Sequence, residues 1–155
     1  MGSISRVQVA VLAIHPMIGR AKATVGPLPL SRPQGAQSRA LICANVAAEN
    51  KGRDVLVLDL RKLTSFVDYF VIATGTSRRQ IHAMADEIDR TMNLMGDRKI
   101  GIEGYAESRW VLLDYGDIVV HLFDDEARRY YDLENLWGDA LHLERIHGSG
   151  EAAQA

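Results

Sequence analysis

The stretch "DYFVIATGTSRRQIHAMADEIDRTMNLMG", Asp68 to Gly96, constrains the fold more than any other part of the chain. Its opening run, Tyr69 to Thr74, is apolar on both alternating faces, and a strand without a polar side has to be covered above and below. Ser77 and Gln80 then form a capping box, which satisfies two amide donors that a helix start would otherwise leave orphaned. Ile81, Met84, Ala85, Ile88, Met92 and Met95 repeat along one face of the helix that follows, and Gly96 ends it. A buried strand running straight into an amphipathic helix calls for a layered α/β domain.

The flanking segments fit that frame. "SRALICANVAAENKG", from Ser38, carries Leu41, Val46 and its alanines at helical spacing, with Gly52 as the stop. "DVLVLDL", Asp54 to Leu60, is a β-branched apolar run and predicts a strand. "DRKIGIEGYAES" predicts a loop, and Trp110 to Leu113 and Ile118 to Phe123 predict two short strands joined by a tight turn. "DDEARRYYDLENLWGDALHLERI" opens with acids suited to a positive helix terminus and sets Tyr130, Leu133, Leu136, Trp137 and Leu141 on one face, which predicts a closing helix. The order helix, strand, strand, helix, strand, strand, helix implies a mixed α/β sheet flanked by helices.

Residues 1–36 read differently. They hold all four prolines, carry no acid and show no sustained periodicity, so they are read as a flexible basic extension to a domain spanning 37–145, with 146–155 as a disordered tail. The extension is either an organellar presequence, which would direct the chain to a mitochondrion, or residues added by an upstream start to a cytoplasmic protein. The net charge of −2 conceals this asymmetry, because all twenty acids lie from Glu49 onward. A net-acidic body does not suit a sequence-independent phosphate binder, which argues against direct nucleic-acid recognition. The apolar runs "VQVAVLAI" and "YFVIATG" fall short of the ~20 residues that cross a bilayer, so no membrane partner is expected. A single cysteine, Cys43, rules out an internal disulfide framework and a cysteine-cluster zinc site, and reads as a small buried residue.

Chemistry is sparse. Asp114 and Asp117 sit three apart in "WVLLDYGDIVVHLF", where a connection through Tyr115 and Gly116 would place them across from each other at a hairpin tip. Aspartate is common beside turns because it accepts nearby amides, and no third oxygen ligand is evident for a metal. "GTSRRQ" offers a helix N-terminus for an anion, but it has neither a Walker lysine nor three spaced glycines. His121 alternates with Val119 and Phe123 and reads as a hydrogen-bonded, half-buried strand histidine rather than a catalytic base. No nucleophile elbow or Cys/His arrangement supplies covalent catalysis. No catalytic, metal or cofactor site is therefore predicted. Around the hairpin, Trp110, Tyr115, Tyr130 and Tyr131 stand with Arg109, Arg128 and Arg129 at positions expected to be exposed or half-exposed; these residue types anchor protein interfaces, and composition equally allows that Trp110 and one of the tyrosines are simply core.

"DYFVIATGTSRRQ" at 68–80, "EG" at 103–104, "WVLLDYGDIVVHLF" at 110–123 and "RRYYDLENLW" at 128–137 resemble, in order and spacing, the ribosomal silencing factor or Iojap family. The resemblance runs from about Ser38 to Trp137. It implies a nucleotidyltransferase-like fold without catalysis, and binding to the large ribosomal subunit through ribosomal protein L-fourteen, which obstructs docking of the small subunit and represses translation. It also implies a homodimer when free of the ribosome. Carried over by position, the partner surface comprises Trp110, Asp114, Tyr115, Gly116 and Asp117, with Arg128 and Tyr131 added from the "RRYYDLENLW" segment. Trp110 and Tyr115 are expected to fill apolar hollows on the partner, and the two aspartates to meet its basic residues. The alternative is a divergent nucleotidyltransferase-like, nucleotide-binding enzyme, although the family's kin among such enzymes carry paired aspartates on the strand after the Gly-Ser turn and none follow "GTSRRQ" here.

Overall fold

The computed structural model describes residues 35–146. Most of the proposed extension and nearly all of the proposed tail therefore lie outside the described residues. Helix α1 spans Ala36–Glu49 and ends in a Schellman motif, with the Gly52 amide donating to Ala47 O at 2.8 Å and the Lys51 amide to Ala48 O at 3.0 Å. The left-handed residue is Lys51 (φ 64), not the predicted stop Gly52. Glycine is needed at 52 for space: a Cβ there would lie 2.7 Å from Ala47 O and 2.8 Å from Met84 Sδ, where α1 meets the second helix.

Strands β1, Arg53–Asp59, and β2, Tyr69–Thr74, follow, and then helix α2, Arg78–Leu94. The predicted cap is present, with Ser77 Oγ accepting from the Gln80 amide at 3.1 Å. Gln80 reaches one residue further back than a standard capping box, accepting from the Thr76 amide at 2.7 Å, and donates to Lys51 O at 2.7 Å, tying the start of α2 to the end of α1. Ile81, Met84, Ala85, Ile88 and Met92 are buried as their spacing predicts. Gly96 (φ 80) ends the helix.

The chain continues through β3 (Gly101–Glu103), β4 (Trp110–Asp114), β5 (Ile118–Phe123), α3 (Asp125–Tyr131), α4 (Leu133–Leu136) and β6 (Leu141–Ile146). The six strands form one sheet in the order β3-β4-β5-β2-β1-β6, with β2 and β5 parallel and every other pair antiparallel. β2 is central and wholly buried, as its two apolar faces require. One sheet face, with Val57, Val71, Val120 and Leu113, lies beneath α1 and α2. The other, with Leu58, Phe70, Trp110, Leu112 and Phe123, is closed by Leu60, Val67, Ala127, Leu133 and Trp137 from the loops and the two short helices.

Two sequence expectations need correction. Residues 97–108 are not all loop, because Gly101–Glu103 adds an edge strand to β4. The closing segment is not one helix: Asp132 takes a left-handed conformation (φ 47) between α3 and α4, the chain turns at Trp137–Ala140, and Leu141–Ile146 pairs with β1. Leu141, counted on the apolar helical face, is exposed on this outer strand. No helix among the described residues is long and apolar enough to cross a membrane.

Candidate partner-binding site

The residues expected to meet a partner fall into two groups at opposite ends of β4. Four residue steps at ~3.3 Å each separate Trp110 from Asp114 by about 13 Å. The first group is the hairpin tip. Asp114 pairs with Val119 across the β4–β5 ladder, and the Tyr115 amide donates to Ile118 O at 2.9 Å. The turn therefore lies at Gly116 and Asp117 rather than Tyr115 and Gly116, and the two aspartates are not opposite each other. Gly116 takes the predicted positive dihedral (φ 89) and donates its amide to Asp114 Oδ1 at 2.8 Å. Asp114 is buried, and this bond is the turn chemistry its position suggested.

Tyr115, which the family resemblance places on the partner surface, is fully buried on the α1–α2 face. Its hydroxyl donates to Asp89 Oδ1 at 2.9 Å, and burial, reinforced by that bond, pushes the phenol pKa up. The reason lies in the alternation of β4, which sends Val111, Leu113 and Tyr115 to one face. Asp117 is held by the chain itself, through a two-pronged ion pair with Arg39 of α1, whose guanidinium also pairs with Asp97 beyond α2. Arg39 and Asp97 are buried, while the Asp117 side chain keeps 18% of its surface. Burial works against the Arg39 charge, but the hydrogen bond and charge of Asp117, joined by Asp97, outweigh it and raise the pKa. The buried Cys43 thiol lies in this environment and is pushed up to about 12, chiefly by burial. No periodicity in the sequence marks Arg39, since its partners lie 58 and 78 positions away.

The second group is an aromatic corner where β4 begins and α3 ends. Trp110 is only 3% exposed, which fits the core alternative for it rather than an exposed anchor, because it packs between Phe123 at 5.1 Å and Tyr131 at 4.6 Å. Tyr131 is half-buried and meets Tyr130 edge-on at 5.0 Å, and Tyr130 is 61% exposed. Beneath, the Trp110 indole N–H donates to His121 Nδ1 at 3.0 Å. Burial drives the His121 pKa down to about 3, with the Arg128 charge adding to the effect. His121 is thus hydrogen-bonded as its strand position suggests, but fully rather than half buried. Its partner Trp110 could have been found from the strand alternation, which puts both on one face.

Arg128 is also turned inward. It donates to Glu134 Oε1 at 2.6 Å, Thr74 Oγ1 at 2.9 Å and Asp54 O at 3.0 Å, clamping α3 to α4, β2 and β1. Around it on the surface, Arg109 pairs with Glu126 at 2.9 Å, and Arg129 is exposed.

The remaining chemical candidates resolve into structure. At the start of α2, Ser77 Oγ accepts from the Gln80 amide and the Gln80 side chain accepts from the Thr76 amide, the capping that the sequence calls for. Ser108 Oγ lies 2.6 Å from His82 Nε2, the geometry of a nucleophile and its base. Ser108 is buried, however, donates to Tyr105 O at 2.8 Å, and sits in a loop that His82 stacks upon through Tyr105 at 4.0 Å. The pair straps residues 104–108 to α2. Among the described residues, no group of three or more His, Cys, Asp or Glu could hold a metal ion.

Comparison with known proteins matches this architecture to one family. The family described as "Ribosomal silencing factor during starvation" matches residues 33–155. The ribosomal silencing factor RsfS of Bacillus subtilis is 42% identical over 99 residues, covering 64% of this chain and 84% of that protein. Its counterpart from Halalkalibacterium halodurans is 38% identical over 103 residues, covering 66% of this chain and 88% of that one. A mouse protein named "Mitochondrial assembly of ribosomal large subunit protein 1" is 32% identical over 106 residues, covering 66% of this chain and 46% of its own length. The crystal structure of protein CV0518 from Chromobacterium violaceum superposes with a TM-score of 0.66 at 34% identity, over 76% of this chain and 98% of that one.

Proposed function

The chain belongs to the ribosomal silencing factor family, and from that premise we propose that it represses translation by binding the large ribosomal subunit and blocking its union with the small one. The observation that carries this reading is the match of the family over residues 33–155, which takes in every described element. The partner on the subunit is ribosomal protein L-fourteen, and the contact region is built by Trp110, Asp114, Tyr115, Gly116, Asp117, Arg128 and Tyr131, some of them from beneath its surface. In this reading the unit that binds is residues 37–145, and free of the ribosome it pairs with a second copy. It acts in the cytoplasm, unless residues 1–36 direct it to a mitochondrion.

The burial pattern divides the labour among those residues. Tyr131 and its exposed neighbour Tyr130 make the apolar contact, while Gly116 and the outward part of Asp117 present the tip. Trp110, Tyr115, Asp114 and Arg128 act from beneath by fixing the shape of that surface. Rim charges such as Asp117 and Arg129 set orientation more than affinity. The blockade is steric, so it needs occupancy and no chemistry.

The test is to add the purified chain to separated subunits and follow their joining on a sucrose gradient. Fewer joined particles, with the chain sedimenting on the large subunit, is the expected result. Undiminished joining at saturating protein, or a chain that stays at the top of the gradient, refutes the reading.

A further inference from the structure

We infer that His121 is a positioning residue for the partner-binding corner: by accepting the Trp110 indole N–H at its Nδ1, it fixes the ring on which Tyr131 and the exposed Tyr130 rest. This rests on the proposed reading of that corner as the partner contact.

Three observations support it. An indole N–H can only donate, so the 3.0 Å bond requires the lone pair of His121 to be at Nδ1 and its proton at Nε2. That Nε2 is buried and finds no hydrogen-bond partner among the described residues. A buried, unpaired donor is costly, and a phenylalanine would fill the same place without that cost. His121 lies in an aromatic setting that would accept one, with Phe70 edge-on at 4.5 Å and Phe123 at 6.2 Å. What phenylalanine lacks is the acceptor for Trp110. The histidine therefore gives up stability to orient the indole.

The orientation reaches the surface through stacked rings. Trp110 contacts Tyr131 at 4.6 Å with planes inclined by 44°, and Tyr131 contacts Tyr130 at 5.0 Å and 89°. Rotating the indole would remove the support under Tyr131 and re-aim both tyrosines. The acceptor is present under ordinary conditions, because burial keeps His121 neutral well below neutral pH.

The test compares His121→Phe, which keeps a ring and removes the acceptor, with His121→Asn, whose Oδ1 stands near the position of Nδ1. The first readout is hydrogen exchange of the Trp110 indole N–H by NMR, assigned against Trp110→Phe and with thermal melts confirming the fold. The second is affinity for isolated large subunits by co-sedimentation. His121→Phe should exchange the indole proton at least about tenfold faster and bind about five- to tenfold more weakly, corresponding to ~1–1.4 kcal/mol. His121→Asn should recover most of both. Unchanged indole exchange in His121→Phe overturns the inference, as does faster exchange with affinity within about twofold of wild type. Should His121→Phe fail to fold, His121→Asn decides alone: a protected indole and near-normal affinity support the inference, and loss of both overturns it. If wild type itself fails to bind large subunits, the functional reading falls, and indole exchange still decides whether His121 positions Trp110.

Discussion

The two ends of β4 carry the same kinds of residue, aromatics and charges beside an apolar run, and the fold uses them in opposite ways. At the tip, polar groups face inward: Tyr115 bonds Asp89, Asp117 pairs with Arg39, and Arg39 joins Asp97. At the beginning of the strand, rings lead outward from His121 through Trp110 and Tyr131 to Tyr130. The tip links α1, the turn after α2 and the β4–β5 hairpin through charge, whereas the corner builds a surface through stacking. Residue type at a strand end therefore does not tell recognition from reinforcement. The sheet face each side chain takes, and what lies on that face, decides it.

The sharpest way to break the comparison is to remove the cation at the tip. Arg39→Met leaves Asp97 and the mostly covered Asp117 without their shared counter-charge, which should cost about 3–5 kcal/mol in urea denaturation. Adding Asp97→Asn and Asp117→Asn to Arg39→Met should recover most of that loss. Were the single substitution nearly neutral, the tip would not be the ionic clamp described above.

Acid should act on the corner. The folded chain refuses a proton at His121 until about pH 3, while the unfolded chain takes one near 6.5. The stability tied to the neutral histidine is thus fully present above pH 6.5 and is lost as pH falls from 6.5 toward 3, at up to ~1.4 kcal/mol per pH unit. From pH 6.5 to 5 this amounts to about 2 kcal/mol, measurable as a falling denaturation midpoint. His121→Asn should flatten the slope by about one proton, whereas Arg39→Met should not. An equal slope in wild type and His121→Asn would mean that the histidine is not held neutral.

The architecture was legible where local and global signals agree. β2 has two apolar faces and lies at the centre, and α2 has its cap, stripe and glycine stop in register with its burial. β3 was hidden because three residues with a glycine carry little pattern, and its pairing with β4 is long-range. β6 was hidden because Leu133, Leu136, Trp137 and Leu141 imitate a helical stripe, while the break at Asp132 depends on a dihedral that aspartate adopts only occasionally. The family motifs placed the candidate residues, but not their depth. Trp110 and Tyr115 have interface-type side chains, yet they lie on opposite sheet faces and are covered by different elements. The Arg39 cluster joins residues too far apart in the chain for any spacing rule to connect.

The smallest effect on stability should come from Tyr130, and there the two ends separate most cleanly. Its ring is largely in water and touches the fold through Tyr131, so Tyr130→Ala should change folding stability by less than about 0.5 kcal/mol. An exposed aromatic at the centre of a contact is a different matter, since burying it against a partner can contribute 1–2 kcal/mol or more. Co-sedimentation with large subunits should therefore weaken about tenfold while the melting curve stays in place. The mirror-image variant at the tip, Arg39→Met, should lower stability far more, and at a temperature where it remains folded its loss of affinity should be the smaller of the two. If Tyr130→Ala binds as wild type does and Arg39→Met does not, recognition belongs to the hairpin tip, and the stacked rings serve the core alone.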